Sequence, residues 1–251
     1  MPDQHAWILG LHAVKAALQQ KTAVEELLVD AGRRDGRIRE IISLAEAAGI
    51  KCHSLPGKRL DEQVQETRHQ GVALLVRQQQ VQDEPYLKAL LKRLDQPPFL
   101  LILDGVQDPH NLGACLRSAD AVGVDAIVIP RDRSVSLTST VRKVASGAAE
   151  TVPLIQVTNL SRTLKWLKSE GIWLVGTAGE AKQTLYEVDL KGSLALVMGG
   201  EEKGLRRLTR ESCDLLVKLP MAGSVESLNV SVAAGVSLYE ALRQRGLGLG
   251  R

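Results

Sequence analysis

The sequence predicts an α/β protein whose C-terminal part is a mostly parallel sheet with helical crossovers. Two observations carry this. From residue 99 onward, apolar runs of strand length alternate with helical patterns, the mark of βαβ units. Before residue 77 a denser alternation builds a smaller α/β unit, and a glutamine-rich stretch separates the two.

In the first part, residues 7–9 read as a strand. Val14, Ala17 and Leu18 then fall on one helical face. Residues 27–29 form a second strand. Ile38, Ile41, Ile42, Ala45 and Ala48 mark a helix stopped by Gly49. A third strand at 50–55, a helix at 58–64 and a fourth strand at 72–76 complete the unit. Residues 77–84 (RQQQVQDE) are nearly devoid of apolar side chains and read as a connector. A short amphipathic helix at 86–94 follows and is stopped by Gln96-Pro97-Pro98. The expected organisation is an N-terminal domain over 1–77, a connector over 78–97 and a larger domain over 98–251. In the larger domain strands are expected at 99–103, 126–129, 152–155, 173–175, 194–198 and 215–219. Helices are expected at 111–121, 138–145, 160–169 and 230–245.

Composition narrows the function. Of 251 residues, 44% are hydrophobic and 24% charged, the proportions of a globular chain. The net charge of +3 permits a nucleic-acid partner without demanding one. Residues 1–77 carry 11 basic and 10 acidic side chains, so the smaller domain is no basic arm. Aromatics make up only 3%, which argues against a surface that stacks bases of an open strand. Cys52, Cys115 and Cys213 are widely separated, show no zinc spacing and imply reduced thiols and a cytoplasmic protein without metal. No apolar run approaches the length of a membrane span, and the N-terminus lacks a signal-peptide core. The chain has no GxxxxGK[ST], no GxGxxG and no GxSxG, which disfavours a P-loop, a nicotinamide dehydrogenase and a nucleophile-elbow hydrolase.

Three segments remain, each where a strand ends, the place where parallel sheets bind ligands. The first is DGVQDPHNLGACLRS at 104–118, in which Asp108 or a neighbour can cap a helix with Pro109 in its first turn. Asn111 and Arg117 lie about 240° apart around that helix, so they need not share a face. His110 is either a base or an ordinary loop histidine. The second is LVMGGEEKGL at 196–205, where glycines let a ligand approach the backbone and Glu201 adds a carboxylate. The third is LPMAGSVESLNVSVAAG at 219–235, with a helix beginning near Ser227 and polar Ser227 and Asn229 at its free N–H groups. Taken singly, each segment also reads as a plain capped turn. Arg131, Arg133, Arg142 and Lys143 are candidates for RNA-backbone contact or for a solvated surface.

Together and in this order the segments resemble the three motifs of the SpoU (TrmH-like) RNA 2′-O-ribose methyltransferases of the SPOUT class. LGLHAV at 9–14 and HQGV at 69–72 look like that family's N-terminal substrate-binding domain, so nearly the whole chain is covered. The resemblance implies a deep trefoil knot in the C-terminal domain, an RNA-binding N-terminal domain and a homodimer. It also implies S-adenosyl-L-methionine as methyl donor and 23S rRNA as partner, with a guanosine ribose as target. Carried over residue by residue, it makes Arg117, Asn111, Glu201, Ser227 and Asn229 the catalytic set. Gly199, Leu219, Leu228, Met221 and Thr177 become the donor-binding set. A tRNA 2′-O-methyltransferase of the same fold, or a non-catalytic rRNA-binding factor, are the alternatives.

Overall fold

The structure is a computed structural model and describes residues 5–19, 24–77, 80–201 and 204–246. Gln78 and Gln79 of the expected connector, and Glu202 and Lys203 of the second motif, lie outside the described residues. The chain forms two compact units, Met1–Gln79 and Gln80–Arg251.

The first unit is a four-stranded sheet in the order β1-β4-β2-β3, built from β1 (His5–Leu9), β2 (Val24–Asp30), β3 (Lys51–Leu55) and β4 (Val72–Arg77). β4 runs antiparallel to β1 and β2, while β2 and β3 are parallel. Helices α1 (Leu11–Gln19) and α2 (Gly36–Ala47) contribute Val14, Ala17, Ile38, Ile41 and Ala45 to a cluster with Leu27, Leu74 and Val76. Helix α3 (Gly57–Val64) places Leu60 and Val64 in a separate cluster with Leu28 and Ala73. The two segments that carried the N-terminal resemblance meet here. The Leu11 N–H, free at the start of α1, donates to Gln70 Oε1 at 3.1 Å. Buried His69 accepts the Gly71 N–H on Nδ1 at 3.0 Å, so Nε2 carries the proton donated to Asp61 at 2.7 Å.

The second unit opens with α4 (Glu84–Leu91), which lies inside the stretch expected to be a connector. Its Leu87 is fully buried in a cluster with Leu100, Ile102, Leu160 and Leu164, and Gln82 pairs with the backbone of Leu154 and Gln156. A buried leucine contributes roughly 2 kcal/mol, enough to hold this short helix down. Then follow β5 (Phe99–Asp104), α5 (Pro109–Val122), β6 (Ala126–Pro130), α6 (Ser139–Ala145), β7 (Leu154–Val157), α7 (Leu160–Ser169) and β8 (Trp173–Thr177). After them come β9 (Gln183–Thr184), β10 (Leu194–Gly199), α8 (Arg207–Ser212), β11 (Leu215–Lys218) and α9 (Val230–Gln244). The seven strands are all parallel in the order β7-β6-β5-β10-β8-β11-β9. Burial on both faces explains why β5, β6 and β10 read as unbroken apolar runs. Besides two 3-10 turns at Ala148–Glu150 and Leu185–Glu187, the sequence reading missed two-residue β9 and α8, whose RLTRES carries no apolar period.

Caps are as local chemistry dictates. Asp108 Oδ1 accepts the His110 N–H at 2.8 Å and Pro109 occupies the first turn of α5. Gly123 ends that helix at a φ of +75°. Gly113 lets α5 press against α6, since a Cβ there would meet the Val144 Cβ at 2.6 Å. The last helix starts at Val230, as expected for 230–245, with Asn229 as its cap and Ser227 in the loop before it.

Candidate active site

The three segments flagged in the sequence converge at the carboxyl ends of β5, β8, β10 and β11. Asn229 Oδ1 accepts the Ser231 N–H at 2.9 Å and its hydroxyl at 2.6 Å. Asn229 Nδ2 donates to Asn111 Oδ1 at 3.0 Å, and Asn111 Nδ2 donates to Glu201 Oε1 at 2.7 Å. One side chain from each motif thus joins a single chain of hydrogen bonds. Its direction is determined at both ends. A carboxylate only accepts and a backbone N–H only donates, so neither amide can be turned over without placing like atoms against each other. Asn111 is buried, while Glu201 and Asn229 stay exposed.

Beside this chain lies a cleft of about 310 Å³. All five residues expected to hold a donor line it, namely Thr177, Gly199, Leu219, Met221 and Leu228, together with Glu201 and Ser227. Two of its glycines, Gly199 and Gly200, allow close packing of backbone. A Cβ on Gly199 would run into the backbone of Gly204 and Leu205, and one on Gly200 would stand 2.7 Å from Gly105 O. The Gly200 N–H donates to Asp104 O at 3.1 Å and the Gly204 N–H to Gly200 O at 3.1 Å, which folds the loop back on the sheet.

The far end of that loop is tied to the same residue. The buried Asp104 carboxylate accepts the Arg206 backbone N–H at 3.0 Å and its Nε at 2.5 Å. Asp104 therefore holds the wall of the cleft from both sides, a role the sequence reading had not assigned. Ala178, Gly179, Lys218 and Glu226 also line the cleft unforeseen. The first two are small residues just past a parallel strand, a signal that could have found them.

Not every expected residue joins the chain. Arg117 is exposed and has no hydrogen bond or ion pair among the described residues. Ser227 lies in the loop before α9 and lines the cleft without joining the hydrogen-bonded chain. His110 is exposed in the first turn of α5. Arg142 does not project as a free cation but pairs with buried Glu150, which corrects its assignment to an open RNA-facing surface. No group of metal-ligating side chains occurs among the described residues, and none of their helices is long and apolar enough to cross a membrane.

A parallel α/β sheet with this motif cleft at its carboxyl edge defines a class, and the chain belongs to the SpoU rRNA Methylase family, which it matches over residues 98–239. Residues 7–82 match the RNA 2′-O ribose methyltransferase substrate-binding domain. The 23S rRNA (guanosine-2′-O-)-methyltransferase RlmB of Shewanella oneidensis is 56% identical over 239 residues, spanning 95% of this chain and 97% of the relative. The RlmB of Escherichia coli (strain K12) is 54% identical over 239 residues, spanning 95% of this chain and 98% of the relative. Among solved structures, an RNA 2′-O ribose methyltransferase superposes with a TM-score of 0.72 at 30% identity, covering 97% of this chain and 90% of that one.

Proposed function

We propose that the protein transfers a methyl group from S-adenosyl-L-methionine to the ribose 2′-OH of a guanosine in 23S rRNA. The observation that carries this is the hydrogen-bonded chain Asn229–Asn111–Glu201 at the edge of the motif cleft. The 54–56% identity to enzymes of that name supports the substrate.

The cleft fits such a donor. Leu219, Met221 and Leu228 offer apolar surface for a flat base, and the glycine backbone offers N–H and C=O groups at close approach. Glu201 and Glu226 place carboxylates where a cationic sulfonium or ammonium group is stabilised. When bound, the donor supplies an already activated methyl group, so the protein's task is chiefly positioning. Asn111 and Asn229 hold Glu201 and shape the cleft wall, and Ser227 contributes a hydroxyl to the lining. Arg117, free and exposed, grips a phosphate next to the target ribose in bidentate fashion and stabilises the oxygen while a phosphate oxygen or a water takes its proton. It does not serve as the base, because a guanidinium stays protonated.

The N-terminal unit docks the RNA. The large unit works as a homodimer: Val232 and Tyr239, seven residues apart on one face of α9, are 50% and 54% exposed and offer apolar surface suited to a second copy. β10 enters the sheet between β5 and β8, both earlier in the chain, which supports the knotted path. The site of action is the cytoplasm, where ribosomal RNA is processed.

Nucleoside mass spectrometry of 23S rRNA from cells with and without the protein tests the reading. One 2′-O-methylguanosine is expected to disappear without it. An unchanged rRNA pattern, or a loss confined to tRNA, overturns it.

A further inference from the structure

The near-neutral charge of the N-terminal unit is unevenly placed. Pairing of Leu9 with Ala73, Val29 with Val72 and Asp30 with Leu55 brings the ends of all four strands to one edge. The loops, strand ends and first helical turns at that edge carry Arg33, Arg34, Arg37, Lys58, Arg59 and Arg68 against Asp30, Asp35 and Glu66. Arg33 is held in place by Asp35 and the Gln70 carbonyl. Arg34, Arg37, Lys58 and Arg59 are exposed and make no ion pair among the described residues. At the opposite edge His5 and Arg77 sit on Glu25, and midway along β3 His53 faces Glu26.

The free cations also stand where they cost stability. α2, capped by the Asp35 carboxylate, opens Gly36-Arg37-Ile38-Arg39, and α3, with no side-chain cap, opens Gly57-Lys58-Arg59; neither has an acidic residue in its first turn. The partial positive charge of a helix N-terminus disfavours cations there. Packing gives no reason for this placement, since the four side chains point to solvent. An anionic partner does. The sheet edge spans three strand spacings, about 14 Å, wide enough for more than one backbone phosphate. The only aromatic residue of the unit, Trp7, packs against a core cluster, so base stacking is not the mode of recognition.

We infer that Arg34, Arg37, Lys58 and Arg59 form the surface on which the N-terminal domain receives the phosphate backbone of folded RNA. The inference rests on the proposed reaction for its choice of RNA but is measured separately from it. The full chain and an R34Q/R37Q/K58Q/R59Q variant are compared for filter retention of an unmodified 23S rRNA transcript across a salt series. A K51Q/R77Q variant at the opposite edge is the control. The quadruple variant is expected to bind at least about tenfold more weakly, with a log–log salt slope shallower by about 3. The control should bind like the wild type. Neither variant should melt below the wild type, and S-adenosyl-L-methionine affinity should not change. Wild-type affinity and slope in the quadruple variant, or an equal loss in the control, overturns the surface. Methyl incorporation by the wild type into the same transcript is read in parallel; its absence counts against the reaction, not against the surface.

Discussion

Asn229 Nδ2 donates to Asn111 Oδ1 at 3.0 Å across 118 residues of sequence, and Asn111 passes the chain on to Glu201. Because the chain is directional, replacing either amide by a carboxylate sets acceptor against acceptor. Asn111→Asp and Asn229→Asp are expected to lower kcat/KM by about ten- to hundredfold, matching the roughly 1–3 kcal/mol of an unsatisfied buried partner. The double variant should lose more than the sum of the two, because it sets carboxylate against carboxylate at both links of the chain. Strict additivity in a double-mutant cycle would show that the two amides act independently.

Gly199 and Gly179 both line the cleft yet stand in opposite packing environments. A methyl group at Gly199 meets the Gly204–Leu205 backbone, whereas a Cβ at Gly179 has nothing within 4 Å. Gly199→Ala should cost about 1–3 kcal/mol in denaturant unfolding and abolish donor binding by calorimetry. Gly179→Ala should unfold with the wild type. Equal stability of the two would mean that the loop yields without strain.

Much of this was legible in the chain, and the reasons are physical. β5, β6 and β10 announced themselves because a strand buried on both faces must be apolar throughout. The cleft residues were legible through the resemblance of the three segments taken together, since each alone also reads as a plain capped turn, and Ala178 and Gly179 were missed. What periodicity could not carry is long-range pairing. Nothing local tells that β10 lies between β5 and β8, that Arg142 turns inward to Glu150, or that Asp104 holds Arg206. The helix over Glu84–Leu91 shows the same division: its amphipathic period was visible, but not the sheet that its Leu87 covers.

Burial pushes the Cys115 thiol up to about 12, with the Glu201 charge adding to the effect. Burial does the same to Cys213, again to about 12, aided by Asp214. A thiol whose folded value is raised keeps its proton where the unfolded chain loses it. Its contribution to stability is complete below about pH 8.5 and shrinks as pH rises toward the folded value. Stability should therefore fall by up to about 1.4 kcal/mol per pH unit per thiol above that point. Cys115→Ala should flatten the alkaline limb of urea midpoints measured from pH 8 to 11. An unchanged limb would assign the loss to other groups.

The buried Asp104 carboxylate takes two hydrogen bonds from Arg206 and its backbone carbonyl takes one from Gly200. Asp104→Asn keeps the shape but loses the charge-assisted bonds, each worth about 1.5–3 kcal/mol when buried, less here because Arg206 is 39% exposed. The cleft wall should loosen. Donor affinity should drop about tenfold, while RNA retention is unchanged. Loss of RNA binding with donor binding intact would place Asp104 in another role.

Arg117 separates two mechanisms because lysine treats them differently. Its side chain is exposed on α5, and Asn111, on the same helix, is buried in the hydrogen-bonded chain. If Arg117 clamps a phosphate, Arg117→Lys keeps the charge but loses the planar fork. Turnover with saturating donor should then fall about tenfold to hundredfold, and the shape of the pH profile from about 6 to 9 should match the wild type. If the position supplies a base instead, lysine releases its proton more readily than arginine. Activity of the Lys variant would then climb with pH toward the ordinary lysine range near 10.4. Donor affinity, measured by calorimetry, should be the same in both proteins, since Arg117 does not line the cleft. A rising profile in the Lys variant, or near-wild-type turnover, defeats the phosphate clamp.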